Sequence, residues 1–359
     1  MKPSSIQELD SNFKKVDPDS GLSWYDARVL GVKGQGWSDT QRPYARLPAK
    51  AETIVRAPVW QLAQHTAGLY VHFVTSSETI NVRWQLWSQD LAMLHMPATG
   101  VSGLDLYIKD PSCRKGQSYH WIGCGNPQKF PHNEAQLVTG LDGQINEFLI
   151  YLPLYNGVEL LEIGVDIEAN ISTPPSEVNP PIVIYGTSIV QGGCASRSGM
   201  SYPAIMGRLL ERTIINLGFS GNGQAEVEMA KLIAELNPSI YILDYCPNLD
   251  AERIRQRTEP FVKTLRNSHP ETPIVLVENI KCQNYLYVSS IKQSNLEKNA
   301  ELRAAYNRMR TAGIEHLLYI RGEKLLGNDG EGTVDGIHPT DLGFIRIAKN
   351  ITPVLAALL

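Results

Sequence analysis

The chain has 359 residues, 43% of them apolar and 19% charged, with a formal net charge of −4. That balance offers no electrostatic grip on nucleic acid or on an anionic membrane. At roughly 150 residues per domain the length predicts two domains, and no apolar run approaches the ~20 residues of a membrane-spanning helix.

The opening residues, MKPSSIQELDSNFKK, are polar and lack an apolar h-region, so they do not read as a signal peptide. Both a cytoplasmic protein and an exported one with its signal removed fit this start. From Ser23 to about Asp166 the sequence runs in short alternating stretches broken by turn residues. Gly68–Val74, Ile80–Trp84 and Glu147–Leu152 are examples, separated by clusters such as Thr75-Ser76-Ser77 and Leu141-Asp142-Gly143-Gln144. Short strands at regular spacing, with no long helical period, predict an antiparallel β-sandwich or jelly roll. His72, inside one such run, reads as a partly buried sheet residue.

Ile171 to Pro181 contains four prolines in eleven residues and continues neither a helix nor a central strand. It reads as a linker, placing a β-domain at 1–175 and a second domain at 176–359. Beyond it the pattern becomes β-α-β. Strand-like runs at Ile182–Tyr185, Thr213–Leu217, Ile240–Leu243, Ile274–Val277 and His316–Ile320 alternate with helical stretches. The helices are expected at Tyr202–Arg212, Gln224–Leu236, Ala251–Asn267 and Asn295–Ala312, and from Leu342 to the C-terminus. Apolar strands covered by helices on both faces make a three-layer α/β/α domain with a five-stranded parallel sheet. Ligands in such sheets bind at the carboxyl ends of the strands. The five cysteines, Cys113, Cys124, Cys194, Cys246 and Cys282, follow no metal-ligand spacing and read as small buried residues. Cys113 and Cys124 could close a hairpin if the protein is exported.

Four segments at predicted strand ends carry chemistry. The first run leads into Gly186-Thr187-Ser188-Ile189, a serine on a tight strand-to-helix turn, the way α/β folds expose a hydroxyl for attack. Val190 stands where the Gly-x-Ser-x-Gly elbow would have its last glycine. The second run leads into Phe219-Ser220-Gly221-Asn222-Gly223, where glycines free backbone N–H groups for an oxyanion. The third leads into Cys246-Pro247-Asn248, with a side-chain N–H donor. Near the C-terminus, Asp335 precedes His338 by three residues, so a carboxylate can hold one imidazole nitrogen while the other faces a serine. Taken singly, each segment also reads as an ordinary turn or helix cap; together they stand in the order Ser, Gly, Asn, Asp-x-x-His.

With these residues, 182–358 resembles the SGNH (GDSL-like) hydrolase family. The resemblance implies a flavodoxin-like fold and ester hydrolysis without metal or organic cofactor. It implies Ser188 as nucleophile, His338 as base and Asp335 as its partner. The oxyanion donors would be Ser188, Gly221 and Asn248. The first block reads Gly-Thr-Ser-Ile in place of Gly-Asp-Ser-Leu, and the third keeps only the Asn of Gly-x-Asn-Asp. In the first half, Gly103-Leu104-Asp105-Leu106-Tyr107 resembles the Gly-x-Asp-Leu-Tyr sandwich domain that precedes some SGNH hydrolases.

SGNH enzymes with a sandwich domain resemble carbohydrate O-deacetylases, which implies an acetyl ester on a saccharide. Trp37, Trp84, Trp87, Trp121 and Tyr107 are the aromatic types a sugar would meet, although such residues more often fill cores. A lipid or short-chain acyl ester is the next substrate class. Two other classes stay in view. One is a non-catalytic carbohydrate-binding protein on a hydrolase fold. The other is a nucleotide-binding domain, although the Gly186–Gly193 loop has neither phosphate-loop glycine pattern. Glu278, Asn279 and Arg197 could touch substrate or simply pair among themselves. Oligomeric state has no signature in the sequence.

Overall fold

The structure, a computed structural model, describes residues 14–114, 116–175 and 179–359. Most of the N-terminal segment and residues 176–178 of the proline-rich stretch lie outside the described residues. The chain divides into two compact units. Among the described residues, the first comprises 14–46, 64–114, 116–175 and 196–199, and the second 47–63, 179–195 and 200–359.

The first unit is a β-sandwich of two antiparallel sheets, as the alternation predicts. One sheet has the order β1-β2-β10-β5-β8: β1 Lys14–Asp17, β2 Leu22–Asp26, β10 Val158–Asp166, β5 Thr79–Leu86 and β8 His132–Thr139. The other has the order β11-β4-β9-β6-β7: β11 Ile171–Ser172, β4 Tyr70–Thr75, β9 Asn146–Tyr151, β6 Leu104–Lys109 and β7 Tyr119–Gly125. The short β3, Val32–Lys33, also pairs with β4. Every second side chain turns inward, so Val71, Phe73, Ile80, Val82, Leu104, Leu106, Phe148 and Ile150 share one hydrophobic core. Burying each contributes about 1.5–3 kcal/mol. Two expectations need correction. Ile171–Ser172, read as the start of the linker, is a strand paired with Thr75 and Val74, because apolar Ile171 can still join a sheet edge ahead of Pro174. The first half also contains a helix, Ala57–Ala63, whose two turns are too short to register as a period; it belongs to the second unit.

The second unit holds a parallel sheet in the order β13-β12-β14-β15-β16: β12 Ile182–Gly186, β13 Ile214–Gly218, β14 Ile240–Asp244, β15 Ile274–Val277 and β16 Leu317–Ile320. Strands β12, β13, β14 and β15 are buried along their whole length, which is why they read as unbroken apolar runs. Helix Tyr202–Leu210 packs with Asp341–Ala356, while Ala251–Ser268 packs with both Val227–Ile233 and Ser289–Thr311. The helix expected from Asn295 begins six residues earlier, at Ser289, because its first turns are polar and solvent-facing. The strand order reverses around β12, so the carboxyl ends of β12 and β14 open the crevice where such sheets bind ligands. No helix among the described residues is long and apolar enough to cross a membrane.

Candidate active site

β12 delivers the chain to Thr187, whose extended backbone and hydroxyl cap a one-turn helix, Ser188–Gln191, by accepting the Ile189 N–H at 3.3 Å. Ser188 is the first residue of that turn and keeps 7% of its surface exposed. The turn closes at Gly192 in the left-handed region, φ +110°, where its N–H returns to the Ser188 carbonyl at 2.9 Å.

The histidine arrives on a loop pinched shut by the Val334 N–H donating to the His338 carbonyl at 2.8 Å. Asp335 Oδ1 accepts the backbone N–H groups of Ile337 (2.9 Å) and His338 (2.7 Å). Asp335 Oδ2 lies 2.7 Å from His338 Nδ1, and His338 Nε2 lies 2.9 Å from Ser188 Oγ. An ionised carboxylate only accepts, so Nδ1 carries the imidazole proton and Nε2 offers its lone pair to the serine hydroxyl. Burial pushes the Asp335 carboxyl up, but the imidazole and the two N–H groups outweigh it and hold the pKa at about 2.

The structure thus joins Asp335, His338 and Ser188 in one hydrogen-bonded chain. The loop after β13 runs alongside it. Gly221 has φ +68°, a left-handed conformation suited to glycine. At Gly223 a Cβ would lie 2.0 Å from the Gly186 carbonyl oxygen, so the loop abuts the strand end that presents Ser188. Asn248 sits in the 3-10 turn Cys246–Asn248. With its oxygen turned to the loop it accepts from Asn222 N–H (3.0 Å) and Gly223 N–H (3.2 Å), leaving its NH2 to donate on the opposite side.

Sequence reasoning missed the residues that hold this loop. Arg56 donates from Nη1 to Asn222 Oδ1 (2.7 Å), from Nη2 to the Asn222 carbonyl (3.1 Å) and from Nε to Glu226 (2.7 Å). Buried Gln191 accepts the Ser220 N–H at 3.0 Å. Asn216 ties the Val190 carbonyl to the Gly218 N–H. Gln191, three residues past the serine in a glycine-rich turn, carried the one available signal; Arg56, in the other half of the sequence, carried none. Behind the site, Tyr202 donates to Asp244 at 2.6 Å, and burial lifts Asp244 to about 6 against the pull of that bond.

Cys194 is no rival nucleophile: burial, with the Asp335 charge adding to it, pushes its thiol up to about 12. All five cysteines are free, Cys113 and Cys124 included. Glu278 spends its carboxylate on Arg303 (2.6 Å), Tyr319 (2.7 Å) and the Gly322 N–H (3.0 Å). His72 is half-buried on β4 and meets Glu147 at 2.8 Å. Among the aromatic residues, Trp84 and Tyr107 are buried, Trp37 is half-buried, and Trp87 and Trp121 are exposed.

The model of the GDSL-like lipase/acylhydrolase family matches residues 179–356. That of the GxDLY family, described as the N-terminus of the SGNH hydro-type esterase, matches 22–171. A crystal structure described as a GDSL-like lipase, from Bacteroides ovatus, is 33% identical, covering 94% of this chain and 98% of its own with a TM-score of 0.88. The chain belongs to the GDSL-like lipase/acylhydrolase family. It is an SGNH-type ester hydrolase carrying a GxDLY N-terminal region.

Two further structures share the fold of this SGNH hydrolase. The salicylyl-acyltransferase SsfX3 from a tetracycline biosynthetic pathway is 18% identical, covers 96% of each chain and has a TM-score of 0.71. A family two carbohydrate esterase from Clostridium thermocellum, in complex with cellohexaose, is 13% identical. It covers 82% of this chain and 94% of its own, with a TM-score of 0.57. Among curated proteins no sequence matches.

Proposed function

We propose that this SGNH hydrolase removes acetyl groups from a carbohydrate through an acyl-enzyme on Ser188. In this reading the chain before about residue 175 supplies most of the sandwich domain and the chain after it most of the catalytic domain, with 47–63 and 196–199 exchanged between them. His338, held by Asp335, takes the Ser188 proton as Oγ attacks the ester carbonyl. The oxyanion is met by the backbone N–H groups of Ser188 and Gly221 and by the Asn248 side chain. The protonated imidazole then releases the sugar alkoxide as an alcohol. Water activated by His338 attacks the acyl-enzyme and frees acetate. The observation carrying the reading is the unbroken hydrogen-bonded chain from Asp335 to Ser188 Oγ.

A saccharide substrate draws support from the exposed Trp121 and Trp87, which stand on the sandwich unit, and from the carbohydrate esterase that shares the fold. A second reading, a lipid or short-chain acyl esterase, is favoured by the description of the Bacteroides ovatus relative. Hydrolysis of p-nitrophenyl acetate, butyrate and longer esters, set beside acetylated xylan and sugar acetates, separates the two. Ser188→Ala should lose at least about 10⁴ in turnover while staying folded, and should no longer react with a fluorophosphonate probe. Ordinary esterase activity in purified Ser188→Ala would overturn the mechanism. A wild-type protein that neither reacts with the probe nor cleaves any ester would favour a non-catalytic binding role.

A further inference from the structure

The pentapeptide Gly103–Tyr107 takes no part in this chemistry, yet its polar side chains are buried. Alternation along β6 sends Leu104 and Leu106 into the sandwich core and turns Asp105 and Tyr107 to the opposite face. There Asp105, with no exposed surface at all, accepts donors from two separate segments of the chain. They include Trp121 Nε1 at 2.6 Å, Arg197 Nη1 at 2.8 Å and the Gly199 N–H at 2.8 Å. Arg197 Nη1 also donates to the Tyr107 hydroxyl at 2.7 Å. A Cβ on Gly199 would stand 2.4 Å from the Tyr107 ring, so residue 199 must be glycine for the segment to lie this close. All these residues belong to the first unit.

These bonds leave two groups fixed but unused. Trp121 is 48% exposed although its indole N–H is tied to a buried carboxylate, so the ring is anchored while about half of the residue stays open to solvent. Both Arg197 hydrogen bonds leave from Nη1; among the described residues its Nε and Nη2 donate to no protein acceptor, and the side chain is 24% exposed. The guanidinium carbon stands 4.9 Å from the Trp121 ring centroid. A rigid aromatic face beside preset N–H donors matches the two surfaces of a pyranose: apolar C–H groups on one side, hydroxyl oxygens around the rim. Because Asp105 already answers the Arg197 charge, the donors suit neutral hydroxyls better than a carboxylate.

We propose that Trp121 and Arg197 form a subsite for a neutral saccharide, with a sugar ring stacked on the indole and its hydroxyls accepting from Arg197 Nε and Nη2. This rests on the carbohydrate reading above. Asp105 and Tyr107 are its positioning residues, which gives the pentapeptide a purpose.

Calorimetric titration of the full chain with xylohexaose and cellohexaose, both free of acetyl groups, tests the subsite apart from catalysis. One of the two should bind with a millimolar or tighter Kd. Trp121→Ala and Trp121→Leu should weaken it at least tenfold, and Trp121→Phe, which keeps a ring, should weaken it less. Ile145→Ala, which trims another exposed apolar residue of the same unit, should bind as the wild type does. Wild type binding neither hexasaccharide, or both truncations binding as wild type, would overturn the subsite. Fluorophosphonate labelling of Ser188 is read separately. If labelling succeeds and sugar binding fails, only the subsite falls; if labelling fails, the esterase reading falls whatever the sugars do.

Discussion

Replacing Asp335 by Asn tests the hydrogen-bonded chain at the end farthest from Ser188. The carboxylate uses both oxygens: Oδ1 for two backbone N–H groups, at 2.9 and 2.7 Å, and Oδ2 for the imidazole at 2.7 Å. Asparagine has one oxygen. Keeping it on the backbone pair satisfies two donors, whereas turning it to the imidazole satisfies one and gives up both. The amide NH2 therefore faces Nδ1, which must give up its proton, and the imidazole carries that proton on Nε2. From there it donates to Ser188 Oγ and cannot accept from it. A histidine held in the wrong tautomer costs about 10⁴ in turnover, equivalent to about 5 kcal/mol of transition-state stabilisation. Steady-state kinetics on p-nitrophenyl acetate should show that fall in kcat with KM within a few-fold of wild type and the thermal midpoint little changed. An Asp335→Asn enzyme keeping more than a tenth of wild-type kcat would refute the tautomer argument.

Asn248→Ala removes a side-chain donor and should lower kcat by ~10²–10³ with KM nearly unchanged, measured on the same ester. Arg56→Gln releases two bonds to Asn222 and should lower kcat roughly tenfold, about 1.4 kcal/mol, without unfolding the protein; unaltered kcat would mean that the loop holds itself. Asp244→Asn tests the buried carboxyl. In the unfolded chain it ionises at its ordinary 3.8 and in the fold at about 6. Between about pH 4 and 6 the fold therefore binds more protons than the unfolded chain, and its stability falls as pH rises through that window. The full loss, present above pH 6, is on the order of 3 kcal/mol. Asparagine still accepts from Tyr202 and does not titrate. Urea midpoints of the variant relative to wild type should rise from pH 4 to pH 7, and a constant difference would sink the account.

Much of the α/β unit is legible in the sequence because its strands are buried on both faces, a demand that writes unbroken apolar runs. β12, β13, β14, β15 and β16 fall within a residue of where those runs stand. The start of helix Ser289–Thr311 was illegible for the opposite reason: exposed turns place no constraint on polarity. The Asp335–His338 pair is local, three residues closed by a loop, so its spacing already implies contact. The 2.9 Å between Ser188 and His338 is different in kind, since 150 residues separate them and only the assembled sheet determines the distance.

What tertiary structure alone decided is which polar groups are spent and which are left. Sequence marks Asp105, Arg197 and Trp121 as polar or aromatic, but only packing shows Asp105 buried and accepting from Trp121, Arg197 and Gly199 while the indole stays half exposed and, among the described residues, Arg197 Nε and Nη2 meet no acceptor. Likewise, nothing near Arg56 in the chain points to Asn222, 166 residues away. Burial pattern and local spacing are properties of neighbouring residues and are written in order along the chain. Hydrogen-bond partnership between distant segments is a property of the folded arrangement, because every donor and acceptor has many possible mates until packing removes all but one.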